Sequence, residues 1–174
     1  NGSYNLGDTI AITLQFSEVV TVDTSSGTPS LELETGSTNR FATYASGSGS
    51  NTLTFNYTVQ SGDTASDLDY SSTSALALNG GSIKDAAENN VNLTLVSPGS
   101  VNSLAANKAL IIDTTNPTVS TVSSSTTNGS YNLDDTIAIT LQFSEVVTVD
   151  ASSGTPSLEL ETGSTNRFAT YASG

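Results

Sequence analysis

Apolar and polar residues alternate with a period of two along much of the chain. Ile10, Ile12, Leu14 and Phe16 fall on one side of an extended segment, with Thr9, Ala11, Thr13, Gln15 and Ser17 on the other. Such alternation marks a strand with one buried face. Leu53, Phe55, Tyr57 and Val59 alternate with Thr52, Asn56 and Thr58 in the same way, as do Leu31 and Leu33 with Glu32, and Val91, Leu93 and Leu95 with Asn92 and Thr94. Shorter strands are predicted near residues 41–45, 75–78, 108–112 and 119–122. Clusters such as Ser46-Gly47-Ser48-Gly49-Ser50, Ser61-Gly62-Asp63 and Asn79-Gly80-Gly81 separate these runs and carry turn chemistry. No segment shows the periodicity of an amphipathic helix. Seven to eight short strands at regular spacing predict an all-β fold, an antiparallel Greek-key β-sandwich.

The pattern also repeats. Residues 1–47 recur as 128–174, with two differences: Gly7 becomes Asp134 and Thr24 becomes Ala151. The offset of 127 residues is far longer than a solenoid unit of about 20–50 residues and matches a domain of about 100–150. Near-identity over a domain-length period points to duplication within a tandem array. The segment Asp113-Thr114-Thr115-Asn116-Pro117 reads as a linker, because proline keeps its own φ fixed and biases Asn116 toward extended backbone. The predicted domains are therefore 1–114, a first repeat without its opening strand, and 115–174, the start of a second repeat. Residues 117–127 would open that second repeat, which stops before its fifth strand. Unpaired strands leave open edges. Either the chain is an excerpt of a longer array or another molecule completes those edges.

Charge narrows the partners. With 17 acidic and 4 basic side chains, the formal charge is −13. Such a surface repels phosphate backbones and anionic membrane surfaces, so neither nucleic acid nor a membrane is an expected partner. Divalent cations are the natural counter-ions, although acidity also serves plain solubility. The chain holds no Cys, His, Met or Trp. Disulfides are thereby excluded, along with the usual zinc and haem ligands and the His-based catalytic arrangements. No apolar run approaches the roughly 20 residues of a membrane-spanning helix. No enzymatic activity is expected.

The remaining candidate chemistry lies in loop carboxylates. Asp67 and Asp69 follow a predicted strand, Asp113 begins the linker, and Glu145 follows the second strand of the next repeat. On sandwich topology these four converge on the junction between repeats. Carboxylates brought together repel unless a cation binds, and calcium takes six to eight oxygens. Glu18, Asp85 and Glu88 would form a matching set at the opposite pole of the first repeat. The bland alternative is that all seven are solvated turn residues. Glu32 and Glu34 share a strand face about 6.5–7 Å apart, near the separation used in inverting glycosidases, but they lack a neighbouring base or aromatic platform.

Several short motifs carry a family resemblance. Phe16-Ser17-Glu18-Val19-Val20 is similar to the F-S-E-P-V segment of bacterial immunoglobulin-like repeats. Asp113-Thr114-Thr115-Asn116-Pro117-Thr118 resembles their D-T-T-A-P-T linker. Asp85-Ala86-Ala87-Glu88-Asn89 resembles their D-A-A-G-N loop, with Glu88 in place of glycine. These motifs occur in the family's order and span the whole repeat. The resemblance is to the tandem repeats of giant bacterial surface adhesins of the repeats-in-toxin type. It implies immunoglobulin- or cadherin-like sandwiches strung end to end, calcium as cofactor at the junctions, neighbouring repeats as partners, and an extracellular, cell-surface location reached by secretion.

The expected function is that of an extender or spacer in an adhesin. Two alternatives stand beside it: a binding module for a glycan, ice or a cell-surface protein, and a self-assembling filament or sheath subunit completed by strand exchange with other copies.

Overall fold

The computed structural model describes all 174 residues, which divide into two compact units, Asn1–Thr115 and Asn116–Gly174. The first unit is a two-sheet β-sandwich. Its strands are β1 (Gly2–Tyr4), β2 (Thr9–Asp23), β3 (Ser30–Leu33), β4 (Arg40–Ser46), β5 (Ser50–Thr58), β6 (Thr64–Ala65), β7 (Leu76–Ala77), β8 (Ser82–Lys84) and β9 (Leu110–Asp113), with one helical turn, α1 (Leu104–Asn107), before β9. One sheet runs β7-β3-β4-β5-β2-β8 and the other β1-β9-β6. The long strand β2 lies beside β5 instead of its sequence neighbour β3, the crossover expected of a Greek-key fold. All pairings are antiparallel except β1 with β9, which is parallel.

Alternation in the sequence becomes alternation in burial. Ile10 and Ile12 on β2, Leu31 and Leu33 on β3, and Leu53, Phe55 and Tyr57 on β5 point inward and meet Leu110 and Ile112 from β9. Phe55 packs edge-on against Tyr44, with ring centroids 5.9 Å apart. A fully buried Phe or Leu contributes about 1.5–3 kcal/mol, so this core holds the unit without disulfides. β2 pairs with β5 through Gln15, slips register before Val20, and then turns to pair with β8 at Thr21–Asp23. A bulge of this kind bends a strand from one neighbour to the next.

Two expectations change. Residues 91–95 keep their alternating burial, and Val91, Leu93 and Leu95 pack on the core, but they form no strand. Their backbone bonds go elsewhere: Val91 N donates to Ile83 O, and Leu95 N donates to Thr73 O. Alternation reports which side is buried, whereas a ladder also needs a neighbour at strand spacing. The second change is α1, capped by Ser103, whose hydroxyl accepts from Ala106 N.

The second unit has four strands: β10 (Val119–Ser124), β11 (Ile139–Phe143), β12 (Ser157–Leu160) and β13 (Arg167–Thr170). They form two antiparallel ribbons, β10-β11 and β12-β13. Counterparts of β5 to β9 lie outside residues 128–174, and no side chain of this unit reaches full burial.

Candidate functional site

The best-built polar feature is a clasp around Asp63 at the end of the first unit where the chain leaves the sandwich. The turn after β5 brings Gln60 N within 2.8 Å of Asp63 Oδ2, and Asp63 N donates back to Gln60 O at 3.2 Å. Arg40, at the start of β4, donates from Nε to Asp63 Oδ1 at 2.8 Å. The Tyr57 hydroxyl donates to Asp63 Oδ2. Burial opposes the charged Asp63 carboxylate, but the hydrogen bonds from Tyr57, Arg40 and Gln60 outweigh it and hold its pKa below the usual value. The same burial, together with the adjacent carboxylate, pushes the Tyr57 hydroxyl up. Tyr57 is thus a neutral donor and Asp63 an ionised acceptor. Thr114 Oγ1 donates to Asp63 O at 3.0 Å and accepts from Gly62 N at 3.1 Å. The departing chain is thereby fastened to the core by a fully partnered network, and in low dielectric such networks are rigid.

Within the first unit the predicted carboxylates bond to different partners. Asp69 is buried and commits both oxygens to backbone donors: Tyr70 N at 2.9 Å and Leu104 N at 3.2 Å on Oδ1, and Gly99 N at 2.9 Å on Oδ2. It pegs the 97–104 connection to the sandwich. Asp67 accepts from Leu110 N at 3.3 Å, three residues along β9 from Asp113. Asp113 is exposed and accepts from Thr115 N at 3.0 Å, an Asx turn at the start of the linker. Glu145 lies in the second unit, after β11, and its Oε1 is buried without a hydrogen-bond partner.

At the opposite pole of the first unit, Glu18 and Asp85 line one hollow of about 430 Å³ with Phe16, Asn89 and Val91. Asp85 accepts from Ala87 N, Asn89 N and Asn89 Nδ2, each at 2.8 Å, and these bonds, the Asn89 side chain first, lower its pKa. Glu88 has a φ of 67° and turns to Lys84, with Oε2 3.2 Å from Nζ. No three carboxylates gather within either unit to hold a metal ion.

In the sequence Asp63 stands only as part of the Ser61-Gly62-Asp63 turn cluster. Two signals mark it: Tyr57 is a phenol at an inward position otherwise filled by aliphatic or Phe side chains, and Arg40 is one of only four bases.

Two facing sheets and a crossed strand order define the class as an all-β, immunoglobulin-like sandwich. Residues 1–100 match the model of the bacterial Ig-like domain, and the chain belongs to that family. No curated protein and no solved structure matches the chain. Bacterial Ig-like domains are typically non-catalytic modules of surface or extracellular proteins, with structural or adhesion-type roles. No helix of the chain is long and apolar enough to cross a membrane.

Proposed function

We propose that the chain is a mechanical extender from the repeat region of a large secreted bacterial adhesin, stiffened by calcium bound where consecutive repeats meet. The observation that carries this reading is the duplication: 45 of 47 residues recur at a domain-length offset, which suits a product selected for reach. The clasp that ties Thr114 to Asp63 supports it, because load entering through the linker passes directly into a closed core. Calcium would be held by carboxylates at the repeat ends. Asp113 is the exposed acid at the exit, and Glu18 and Asp85 share the hollow at the opposite pole. A cation there would relieve part of the −13 charge and stabilise the folded chain by RT ln(1 + [L]/Kd), about 2.7 kcal/mol at a hundredfold excess over Kd.

Thermal melting and small-angle scattering with calcium, magnesium and chelator test the reading. The expected result is a calcium-specific rise in Tm and a narrower distribution of interdomain distances, both weakened by Asp113→Ala. Identical melting and scattering in all three conditions would remove calcium from the account and leave a spacer without a metal switch.

A further inference from the structure

The turn at Asn79-Gly80 joins β7 to β8, which lie at opposite ends of the six-strand order, and so closes that sheet at one end of the first unit. Gly81 N donates to Leu78 O at 2.9 Å, and φ is 51° at Asn79 and 93° at Gly80, the left-handed pair of a type I′ turn. The Asn79 carboxamide reaches the β2–β3 turn, where Nδ2 donates to Thr28 O at 2.9 Å and to Ser30 Oγ at 2.8 Å. Both amide hydrogens are thereby committed, one of them to a buried serine. The two turns also meet backbone to backbone. A Cβ at Gly27 would fall 1.8 Å from Asn79 O, and one at Gly81 would fall 2.3 Å from Gly27 O. The strand pairings beside them are short: β7 meets β3 at Ser30 and Leu31, and β8 meets β2 at Thr21–Asp23.

We propose that Asn79-Gly80 is a latent self-modification site: the fold holds it unreactive, opening of the two turns releases it, and the reaction then bars this end from closing again. An asparagine before glycine is open to attack by its own backbone, because the following amide nitrogen has no side chain beside it. Gly80 N attacks Asn79 Cγ, the new N–Cγ bond closes a five-membered succinimide, and the Cγ–Nδ2 bond breaks. Ammonia leaves with the proton from Gly80 N. Water then opens the imide at one carbonyl or the other, giving aspartate or isoaspartate. Water is the only co-reactant. Nδ2 is the leaving group, so its bonds to Thr28 and Ser30 must be given up before the ring can form.

Neither product remakes the closure. An ionised aspartate only accepts hydrogen bonds, so it faces the Thr28 carbonyl with no proton to offer, and it adds charge to a chain already at −13. Isoaspartate lengthens the main chain by one carbon where the two turns leave no room for an added carbon at Gly27 or Gly81. Each opening of this end therefore carries a risk of becoming permanent, and the Asn79 amide keeps a covalent record of it. The inference needs neither calcium nor a neighbouring repeat.

The test incubates the whole chain in mildly alkaline buffer, folded and in urea, and reads conversion at Asn79 by peptide mass spectrometry. Conversion should be at least about tenfold slower in the folded chain, because only the locally opened fraction reacts. Ser30→Ala removes one acceptor of Nδ2 and should speed conversion severalfold in the folded chain while leaving the rate in urea unchanged. Ile112→Val thins the core on the other sheet and should leave the folded rate unchanged, because the turns open locally. Hydrogen exchange on Asn79→Asp should show lost protection at Leu76–Ala77 and Ser82–Lys84 with β5 still protected. Equal rates at Asn79 in the folded and urea-unfolded chains would overturn the proposal. So would a Ser30→Ala rate no faster than the parent's, equal speeding by Ile112→Val, or full protection of β7 and β8 in Asn79→Asp. None of these readouts involves a metal, so their failure is distinct from failure of the calcium reading.

Discussion

Ile10 and Ile137 occupy the same position in two copies of one sequence, yet Ile10 is 3% exposed and Ile137 is 47% exposed. The features that survive in both copies are local. Asn5 N bonds Asp8 Oδ2 at 2.8 Å, and Asn132 N bonds Asp135 Oδ2 at 2.6 Å. Ser25 N and Ser152 N each bond the aspartate two residues earlier at 2.8 Å. The hairpin of β3 with β4 and that of β12 with β13 share one register, from Ser30↔Thr43 and Ser157↔Thr170 onward. What differs is long-range. β2 runs 15 residues against β5 and β8, while its counterpart β11 keeps only five, paired with β10. Turns and short hairpins are thus written in the 47 residues themselves, whereas strand length and core burial are set by partners outside them. A two-stranded ribbon is marginal in water without a further layer.

The comparison breaks most completely if the first copy loses its partner. Phe55→Ala removes a fully buried ring between β2 and β4 and should destabilise the first unit by about 3–5 kcal/mol. Chemical denaturation followed by tyrosine fluorescence measures this. Hydrogen exchange at Ile10 and Ile12 should then approach that at Ile137 and Ile139. Retained protection at Ile10 would show that β2 holds its conformation without β5. A paired experiment is next in size. Ile10→Ala should cost about 2–4 kcal/mol and Ile137→Ala less than about 1 kcal/mol, because only the first leaves a cavity. Equal losses at the two positions would mean that the second unit buries its isoleucine after all.

The clasp gives a smaller effect and one with a pH signature. Arg40 meets Asp63, while its counterpart Arg167 makes no ion pair. Asp63→Asn should cost about 2 kcal/mol, the scale of a hydrogen bond to a charged group, and Arg167→Ala almost nothing. Because the folded pKa of Asp63 lies below its unfolded value of about 3.9, its contribution is fully present above that value. It is lost as pH falls through the lower folded pKa. The Tm of the parent should therefore drop more steeply below about pH 4 than that of Asp63→Asn. Parallel Tm profiles would show that Asp63 is not the group responsible.

The same division between local and distant explains what could be read from the chain. Strands β2 and β5 are legible because each buries one face and exposes most of the other, and that period is written in consecutive residues. The turn at Asn79-Gly80 was visible because glycine at a φ of 93° meets no side-chain penalty. The use made of Asp67 and Asp69 was not visible. Whether a loop carboxylate faces solvent, a cation or a backbone N–H depends on Leu110, Gly99 and Leu104, which lie 30 to 43 residues away in sequence. For Asp113 the nearest donor is only two residues off, at Thr115, and its turn follows from the Asp-Thr-Thr sequence itself. The pairing of Arg40 with Asp63 crosses 23 residues, and the two signals for it, an inward phenol at Tyr57 and the scarcity of bases, do not say which acid Arg40 meets.

The finest test uses a difference already present between the copies. Gly7 has a φ of 88°, and Asp134, at the same place, has a φ of 71°. Left-handed backbone is free for glycine and costs other residues, although aspartate tolerates it better than most. A Cβ added at Gly7 meets nothing within 4 Å, so sterics outside the backbone are removed from the comparison. Gly7→Asp also places a second carboxylate beside Asp8 without disturbing the bond from Gly7 N to Val59 O at 3.0 Å. The expected loss is about 0.5–1 kcal/mol, a fall of a few degrees in Tm, part of which salt should recover by screening. A loss that salt does not reduce would assign the whole cost to backbone conformation. A gain in stability would show that Asp at this turn is preferred. The second copy would then hold the better version of a turn that both copies fold in the same way, and the gap between Ile10 and Ile137 would have to arise entirely from the pairing of β2 with β5 and β8.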